Sequence, residues 1–469
     1  MGWTRRSLLP LTVEARPAAR LGAAFERSAR GGAEIAGKLN LFQQTMLRWR
    51  ELHPYSAAHA VRLAVALEAT RLERSIARQL AAIGATGLAP DAPRGVLLRT
   101  AETGSPTLKV LAEERDPQAT LWSEFEAELN TPFARSGPFR FFALPAGDGF
   151  YLALVYDHFV AGGDAIALLL KAIVDDYSDT GAPKPTPPAP QRRLAPPRYR
   201  RLLLRHPLHA AWALLRLPSM VGRSRRSVRP PGASGRDPYN ALAYQRVGAA
   251  DAEGLRRAAA AWGVTLNDLL LASLLLALAP LAPERARAQR RRELAVASIV
   301  NIRQDLPEAA DTFGPFLASF DVSHPVPAGI TLRRLAQDVH AESGRIRRQR
   351  LYLQTIVAQG VAALMWPLLS PLQRERFFPK YHPVWGGVSM LNLKPLWERA
   401  GTGADVPADY VRAISTGPAC PLVLAVTVAR EVLHVGVSFR RDAFPPATVA
   451  TVTAAFAGAI ATLRDGPSE

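Results

Sequence analysis

Between Phe150 and Tyr156 the chain reads Phe-Tyr-Leu-Ala-Leu-Val-Tyr, an unbroken run of aromatic, branched and aliphatic residues that predicts a buried strand. The period then changes. Over residues 165–177, Ile166, Leu169, Leu170 and Ile173 recur at helical spacing, so a helix with one apolar face is expected. Upstream, residues 137–144 repeat the strand pattern and lead into 150–156 through the turn Ala-Gly-Asp-Gly, while 34–48 and 67–83 read as helices. Downstream, a strand is expected at 243–247 and a helix at 252–262, with Asp251 as its N-cap and Gly263 as its stop. A helix at 267–278, a strand at 294–302, a strand-like run at 386–396, a hairpin of 422–428 with 432–439, and a closing helix at 446–463 complete the pattern.

The pattern breaks in the middle. Residues 183–197 are rich in proline and 228–237 form another loop-prone stretch, with a basic, leucine-rich segment between them at 199–217. The expected organisation is therefore residues 1–182, a Pro- and Arg-rich linker at 183–237, and 238–469. At 469 residues the chain has room for two domain-sized cores, and each half mixes strand with helix, which predicts an α/β (α+β) fold. The most apolar stretches, 269–281 and 356–372, fall short of the about 20 residues a membrane helix needs, so no transmembrane span is expected. Near the start, Thr4-Arg-Arg has a twin-arginine look, but Pro10 and Glu14 cut the apolar stretch too short for a signal peptide.

Hydrophobic content of 48% against 21% charged residues is that of a folded globular protein. The formal charge of +18 is carried mostly by arginine. It favours acidic partners: nucleic acid, anionic lipid, nucleotide phosphate or an acidic carrier protein. Nucleic acid is the minority reading, because no recognition-helix, RNA-binding or zinc-ligand pattern is present. Phosphate-loop, dinucleotide, HExxH and GxSxG signatures are missing too, and no metal site is expected. The single cysteine, Cys420, has no intramolecular partner and reads as a small buried residue in a reducing, cytoplasmic setting.

Candidate chemistry centres on His158, between the 150–156 strand and the 165–177 helix and just ahead of Gly162 and Gly163. A histidine beside apolar residues is commonly a hydrogen-bonded core residue. Here the glycines permit a sharp turn and close approach of another molecule, and imidazole suits proton transfer near neutral pH.

Asp157-His-Phe-Val-Ala-Gly-Gly-Asp164 resembles a variant of the HHxxxDG motif of the condensation-domain-like, CoA-dependent acyltransferase superfamily. That superfamily includes peptide condensation domains, wax ester synthase/diacylglycerol acyltransferases and polyketide-associated acyltransferases. Gly137-Pro-Phe-Arg-Phe141, Gly263-Val-Thr-Leu-Asn-Asp-Leu-Leu-Leu-Ala272, Ser298-Ile-Val-Asn-Ile-Arg303 and Phe313-Gly-Pro-Phe-Leu317 are similar to further family segments. The likeness runs over roughly residues 35–465, weakest in the linker.

The resemblance implies two chloramphenicol-acetyltransferase-like halves, each a mixed sheet with flanking helices, meeting at an active-site channel. It makes His158 the catalytic base, with Asp157 in place of the first motif histidine, Gly162 in place of the usual aspartate, and Gly163 as the motif glycine. That aspartate would pair with an arginine of the second half, for which Arg303 is the best match. Asp164 or Asp157 are possible substitutes, although Asp164 reads more simply as a helix N-cap and Asp157 as a solvated strand end. Asn267, Ser389 and Asn392 are candidate channel residues; Asn267 and the amides near Gly162 and Gly163 are candidate oxyanion donors, and Asn267 also suits a purely local role in its helix. The implied activity is acyl transfer from CoA or an acyl carrier protein's phosphopantetheine to a hydroxyl or amine, with no bound cofactor. Ester formation is favoured because no carrier or adenylation module adjoins. The missing aspartate keeps open a catalytically impaired module that binds or recruits a carrier. The basic linker suggests peripheral contact with an anionic membrane.

Overall fold

In a computed structural model, residues 34–100, 108–134, 137–179, 193–194, 199–231, 237–306, 312–398 and 406–464 are described. The twin-arginine segment and most of the proline-rich stretch lie outside them.

The N-terminal half begins with strand β1 (Glu34–Lys38) and helix α1 (Leu41–Leu52), where a single helix was expected. The break has a local cause: the Asn40 side chain accepts from the Gln43 amide while the Gln43 side chain accepts from Asn40, a reciprocal cap that starts the helix anew. Strand β2 (Ser56–Leu63), α2 (Ala69–Ala82), β3 (Leu88–Asp91), β4 (Val96–Arg99), β5 (Leu108–Val110) and α3 (Pro117–Asn130) follow. Next come β6 (Phe139–Ala146), β7 (Gly149–Asp157) and α4 (Gly163–Ser178). Strands β6 and β7 form the expected hairpin, and β2 pairs with the other edge of β7.

Past the short strand β8 (Arg193–Leu194), the linker folds into three short helices, α5 (Tyr199–Arg205), α6 (Pro207–Leu215) and α7 (Leu217–Arg226). Pro207 and Pro218 sit in the first turns of α6 and α7, where a missing amide proton costs least.

The C-terminal half contains β9 (Asn240–Val247), α8 (Ala249–Trp262), α9 (Leu266–Leu278), β10 (Leu294–Asn301), β11 (Thr312–Phe313) and β12 (Leu317–His324). Helices α10 (Leu332–Arg348), α11 (Leu353–Met365) and α12 (Pro371–Tyr381) lead to β13 (Gly386–Asn392), α13 (Lys394–Glu398) and β14 (Tyr410–Ile414). The chain closes with β15 (Leu422–Ala429), β16 (Val432–Arg440) and α14 (Pro446–Ala461). Gly263 ends α8 in the left-handed conformation, as its position predicts. The N-cap of α8 is Gly248, not Asp251, which lies in the first turn and binds Arg464 through both carboxylate oxygens. Cys420 is half-buried rather than buried, and its thiol donates to the Leu422 carbonyl.

Two mixed sheets organise the halves, in the orders β14-β2-β7-β6-β5 and β12-β10-β13-β15-β16-β9. Each has a large apolar cluster packed on it. Strand β14 departs from a simple division: it comes from the C-terminal half yet completes the N-terminal sheet, antiparallel to β2 with Arg412 opposite His59. It also crosses the face of the C-terminal sheet at Gly436, where a Cβ would overlap the backbone carbonyl of Arg412. Gly436 thus allows two backbones to approach closely. Among the described residues no single helix is long and apolar enough to cross a membrane.

This close approach is testable. Gly436→Ala should lower the midpoint of urea unfolding by an amount equivalent to about 1–3 kcal/mol, the usual cost of overpacking. The conservative Ala425→Gly on the partner strand, which creates no overlap, should not reproduce the effect beyond the about 1 kcal/mol that a strand glycine costs.

Candidate active site

His158 leaves the end of β7, where Asp157 pairs with Ser56 of β2, and enters a turn that runs to α4. Its backbone amide faces the Tyr55 carbonyl, and its Nδ1 lies 3.4 Å from the Ala161 carbonyl. A carbonyl only accepts, so this bond requires the proton on Nδ1 and leaves the Nε2 lone pair free. Tyr55 stacks on the imidazole at 5.3 Å between centroids, and Tyr156 meets it edge-on at 5.8 Å. His158 is 7% exposed. Burial, with a smaller contribution from the Arg412 cation, lowers its pKa to about 4, so the imidazole is neutral at pH 7.

The loop is gripped from both halves. On one side α1 supplies Gln43, which donates to the Phe159 carbonyl at 3.1 Å, and Arg50, which pairs with Asp157. Asp157 is therefore buried and paired, not a solvated strand end, and its partner is Arg50 rather than Arg303. On the other side, Arg303 Nε lies 2.9 Å from Asp164 Oδ2, and Asn301 Nδ2 donates to the same oxygen at 3.1 Å. Arg303 is held in turn by the Thr312 carbonyl at 2.7 Å and lies over the Phe316 ring. The N-cap of α4 is Gly162 and carries no side-chain cap. Asp164 thus sits in the first turn, where a carboxylate also suits the helix dipole, and does not act as the N-cap.

Gly162 donates to the Gly314 carbonyl at 3.4 Å, and a Cβ there would stand 3.0 Å from Asp164 Oδ1. The space a motif aspartate would need is thus crowded by the carboxylate of Asp164. Gly163 meets different neighbours: its Cβ would stand 3.2 Å from Arg412 Nη1 and within 3.7 Å of the His59 ring.

His59 and Arg412 are functional candidates that the sequence reading missed. Both are buried. His59 Nδ1 bonds the Tyr410 hydroxyl at 2.7 Å, while its Nε2 has no partner among the described residues. Arg412 donates from Nε to Thr427 Oγ1 at 2.9 Å and from Nη2 to the carbonyls of Ser389 and Val426 at 2.6 and 2.7 Å. Among the described residues it has no carboxylate partner, and burial lowers its pKa to about 10. The visible signal was one arginine in an otherwise apolar strand, Tyr-Val-Arg-Ala-Ile.

The remaining candidates make contacts of their own. Asn267 exchanges hydrogen bonds with Ser298 within the C-terminal half. Ser389 joins the Arg412 cluster through its backbone carbonyl, and Asn392 is exposed, accepting from the Lys394 amide.

No protein-family model matches the chain, and no curated protein matches it in sequence. Solved structures do resemble it. The first condensation domain of the CDA synthetase aligns with a TM-score of 0.63 at 16% identity over 92% of this chain and 97% of that one. The condensation domain of the Monacolin K polyketide synthase MokA gives 0.64 at 13% identity, over 93% and 98%. The X-domain from teicoplanin biosynthesis gives 0.59 at 18% identity, over 93% and 96%. The fold is therefore that of condensation domains, with its two-half architecture as expected from the motifs.

Two outcomes follow from the geometry. Gly162→Asp should destabilise by placing a second carboxylate against Asp164, and adding Asp164→Ala should recover much of the loss by freeing Arg303 for the new group; thermal unfolding of the single and double variants measures this. Separately, His53 and His158 have pKa values lowered to about 4 by burial, and burial also lowers that of His59. Such groups bind protons in the unfolded chain from about pH 6.5 but not in the fold, so their contribution is complete above about 6.5 and lost as pH falls toward 4. Asp157, raised by burial, works in the opposite direction. Urea unfolding should show stability falling across that window, with a shallower slope in His59→Asn.

Proposed function

We propose that the protein is an acyltransferase in which Nε2 of His158 is the general base. The observation that carries this reading is the imidazole itself: neutral, with Nδ1 tied to the Ala161 carbonyl and Nε2 left free, on a loop gripped by both halves. The donor is an acyl thioester of CoA or of a carrier protein's phosphopantetheine, and the acceptor is a hydroxyl or amine. As the acceptor attacks the carbonyl carbon, its proton passes to Nε2 and the carbonyl electrons move onto oxygen. Collapse of the tetrahedral intermediate expels the thiolate, which takes the proton back from the imidazolium.

Negative charge that develops on the oxygen is favoured by the uncapped N-terminus of α4 and by the uncompensated Arg412 cation. Gly163 is the better oxyanion amide, because the Gly162 amide already faces Gly314. The setting is cytoplasmic, with peripheral contact at an anionic membrane. Ester formation is the preferred outcome, and both acceptor classes belong in the test.

A recruitment module is the second reading, favoured by the likeness to an X-domain, which has also been solved as a complex with OxyB.

Intact-mass detection of product, with purified protein offered acyl-CoA or acyl-carrier thioesters and a panel of alcohols and amines, tests acyl transfer. Product is expected, and folded His158→Ala should lose about 100- to 10,000-fold in rate. Unchanged turnover in that variant removes His158 as base. Carrier binding without product from any donor and acceptor pair favours recruitment.

A further inference from the structure

Residues 199–231 carry eight arginines and no aspartate or glutamate. The simplest expectation for such a segment is a surface layer whose leucines pack inward while its arginines are solvated. Leu202 and Ala213 do pack inward, and the helices are tied to α11, where Gln354 donates to the Ala213 carbonyl and accepts from Arg223. Leu203 packs partly against the same core, but four other leucines do not. Leu208 is 82% exposed and Leu215 72%, with Leu204 and Leu214 more than half exposed. Leu208, Trp212 and Leu215 recur at helical spacing along one face of α6.

The adjoining element repeats the anomaly. Helix α11 packs against α6, and α12 against α7. On this neighbour Val361 and Leu364 are exposed, Leu364 at 79%, followed by Leu368 at 84% in the turn after it and Leu372 on α12. Exposed arginines and lysines accompany both elements: Arg200, Arg205 and Arg225 on the linker helices, Arg376 and Lys380 on α12. Single exposed leucines need no explanation, but several on adjacent helices mark an interaction surface.

We propose that the linker helices and the α11–α12 segment together form a docking surface for an anionic lipid bilayer. The surface is strongly cationic, so its occupant is anionic. The leucines protrude instead of lining a recess, which suits insertion into a fluid apolar layer beneath charged headgroups. Removing a few such leucines from water and holding a few arginines near anionic headgroups suffices for reversible binding. The inference deepens the peripheral membrane contact proposed above by assigning it to named residues. It does not depend on acyl transfer.

The test is cosedimentation of the full chain, without substrate, with phosphatidylcholine vesicles that contain or lack phosphatidylserine. Binding is expected only with phosphatidylserine, weakening as salt is raised. The variant Arg200→Gln/Arg205→Gln/Arg225→Gln and the variant Leu208→Gln/Leu364→Gln/Leu368→Gln should each bind at least about tenfold more weakly, with unchanged thermal unfolding. Failure of the unaltered chain to bind phosphatidylserine vesicles at low salt overturns the proposal, as does undiminished binding by the leucine variant. So does a concentration-dependent dimer that the leucine variant abolishes, which would make a second copy the occupant. Because vesicle binding is read without substrate, it stands or falls separately from the acyl-transfer assay.

Discussion

One buried guanidinium joins the two sheets. Arg412 belongs by hydrogen bonding to the N-terminal sheet, but its donors reach Thr427, Val426 and Ser389 in the C-terminal sheet. Burying a cation costs several kcal/mol, and no carboxylate among the described residues offsets it. Three charge-assisted bonds, two of them to backbone carbonyls, do so instead. Such bonds survive only while both sheets hold their positions, so the arginine couples the relative placement of the halves to its own solvation. Gly436 and Gly163 are consequences of that constraint: one lets the strand carrying Arg412 lie against the second sheet, the other keeps a side chain out of its guanidinium.

The electrostatics of the histidine loop follow. Two aspartates flank it and each is bound to an arginine of a different element, Asp157 to Arg50 and Asp164 to Arg303. With both carboxylates so engaged, neither offsets the charge of Arg412, which faces the imidazoles of His59 and His158 with its positive field intact. A neutral histidine in a positive field is poised to take a proton only when negative charge is forming beside it. In the acyl transfer proposed above, such charge forms as the acceptor attacks the carbonyl.

Local signals were legible in the sequence wherever one short segment determines the outcome. The 150–156 run became β7, the turn at 146–149 became its hairpin, and Gly263 stopped its helix. Errors arose where two local rules competed. Residues 34–48 look helical throughout, but the Asn40 and Gln43 cap splits them; Asp251 and Asp164 look like N-caps, but glycines one or more residues earlier start those helices. The site was half legible. His158 and the glycines announce themselves through a motif, whereas His59 and Arg412 meet only across a strand pairing, which no window along the chain contains.

Strand exchange also sets an order of events. His59 and Tyr410, bonded in the finished sheet, are 351 residues apart in the chain. Until Tyr410–Ile414 arrives, β2 presents an open edge of unpaired amides and carbonyls, the kind of edge that invites pairing with another molecule. Closing so long a loop is slow compared with forming a hairpin. The N-terminal half therefore spends its early life incomplete, and expressed alone it would keep an aggregation-prone edge that only the other half of the same chain is shaped to cover.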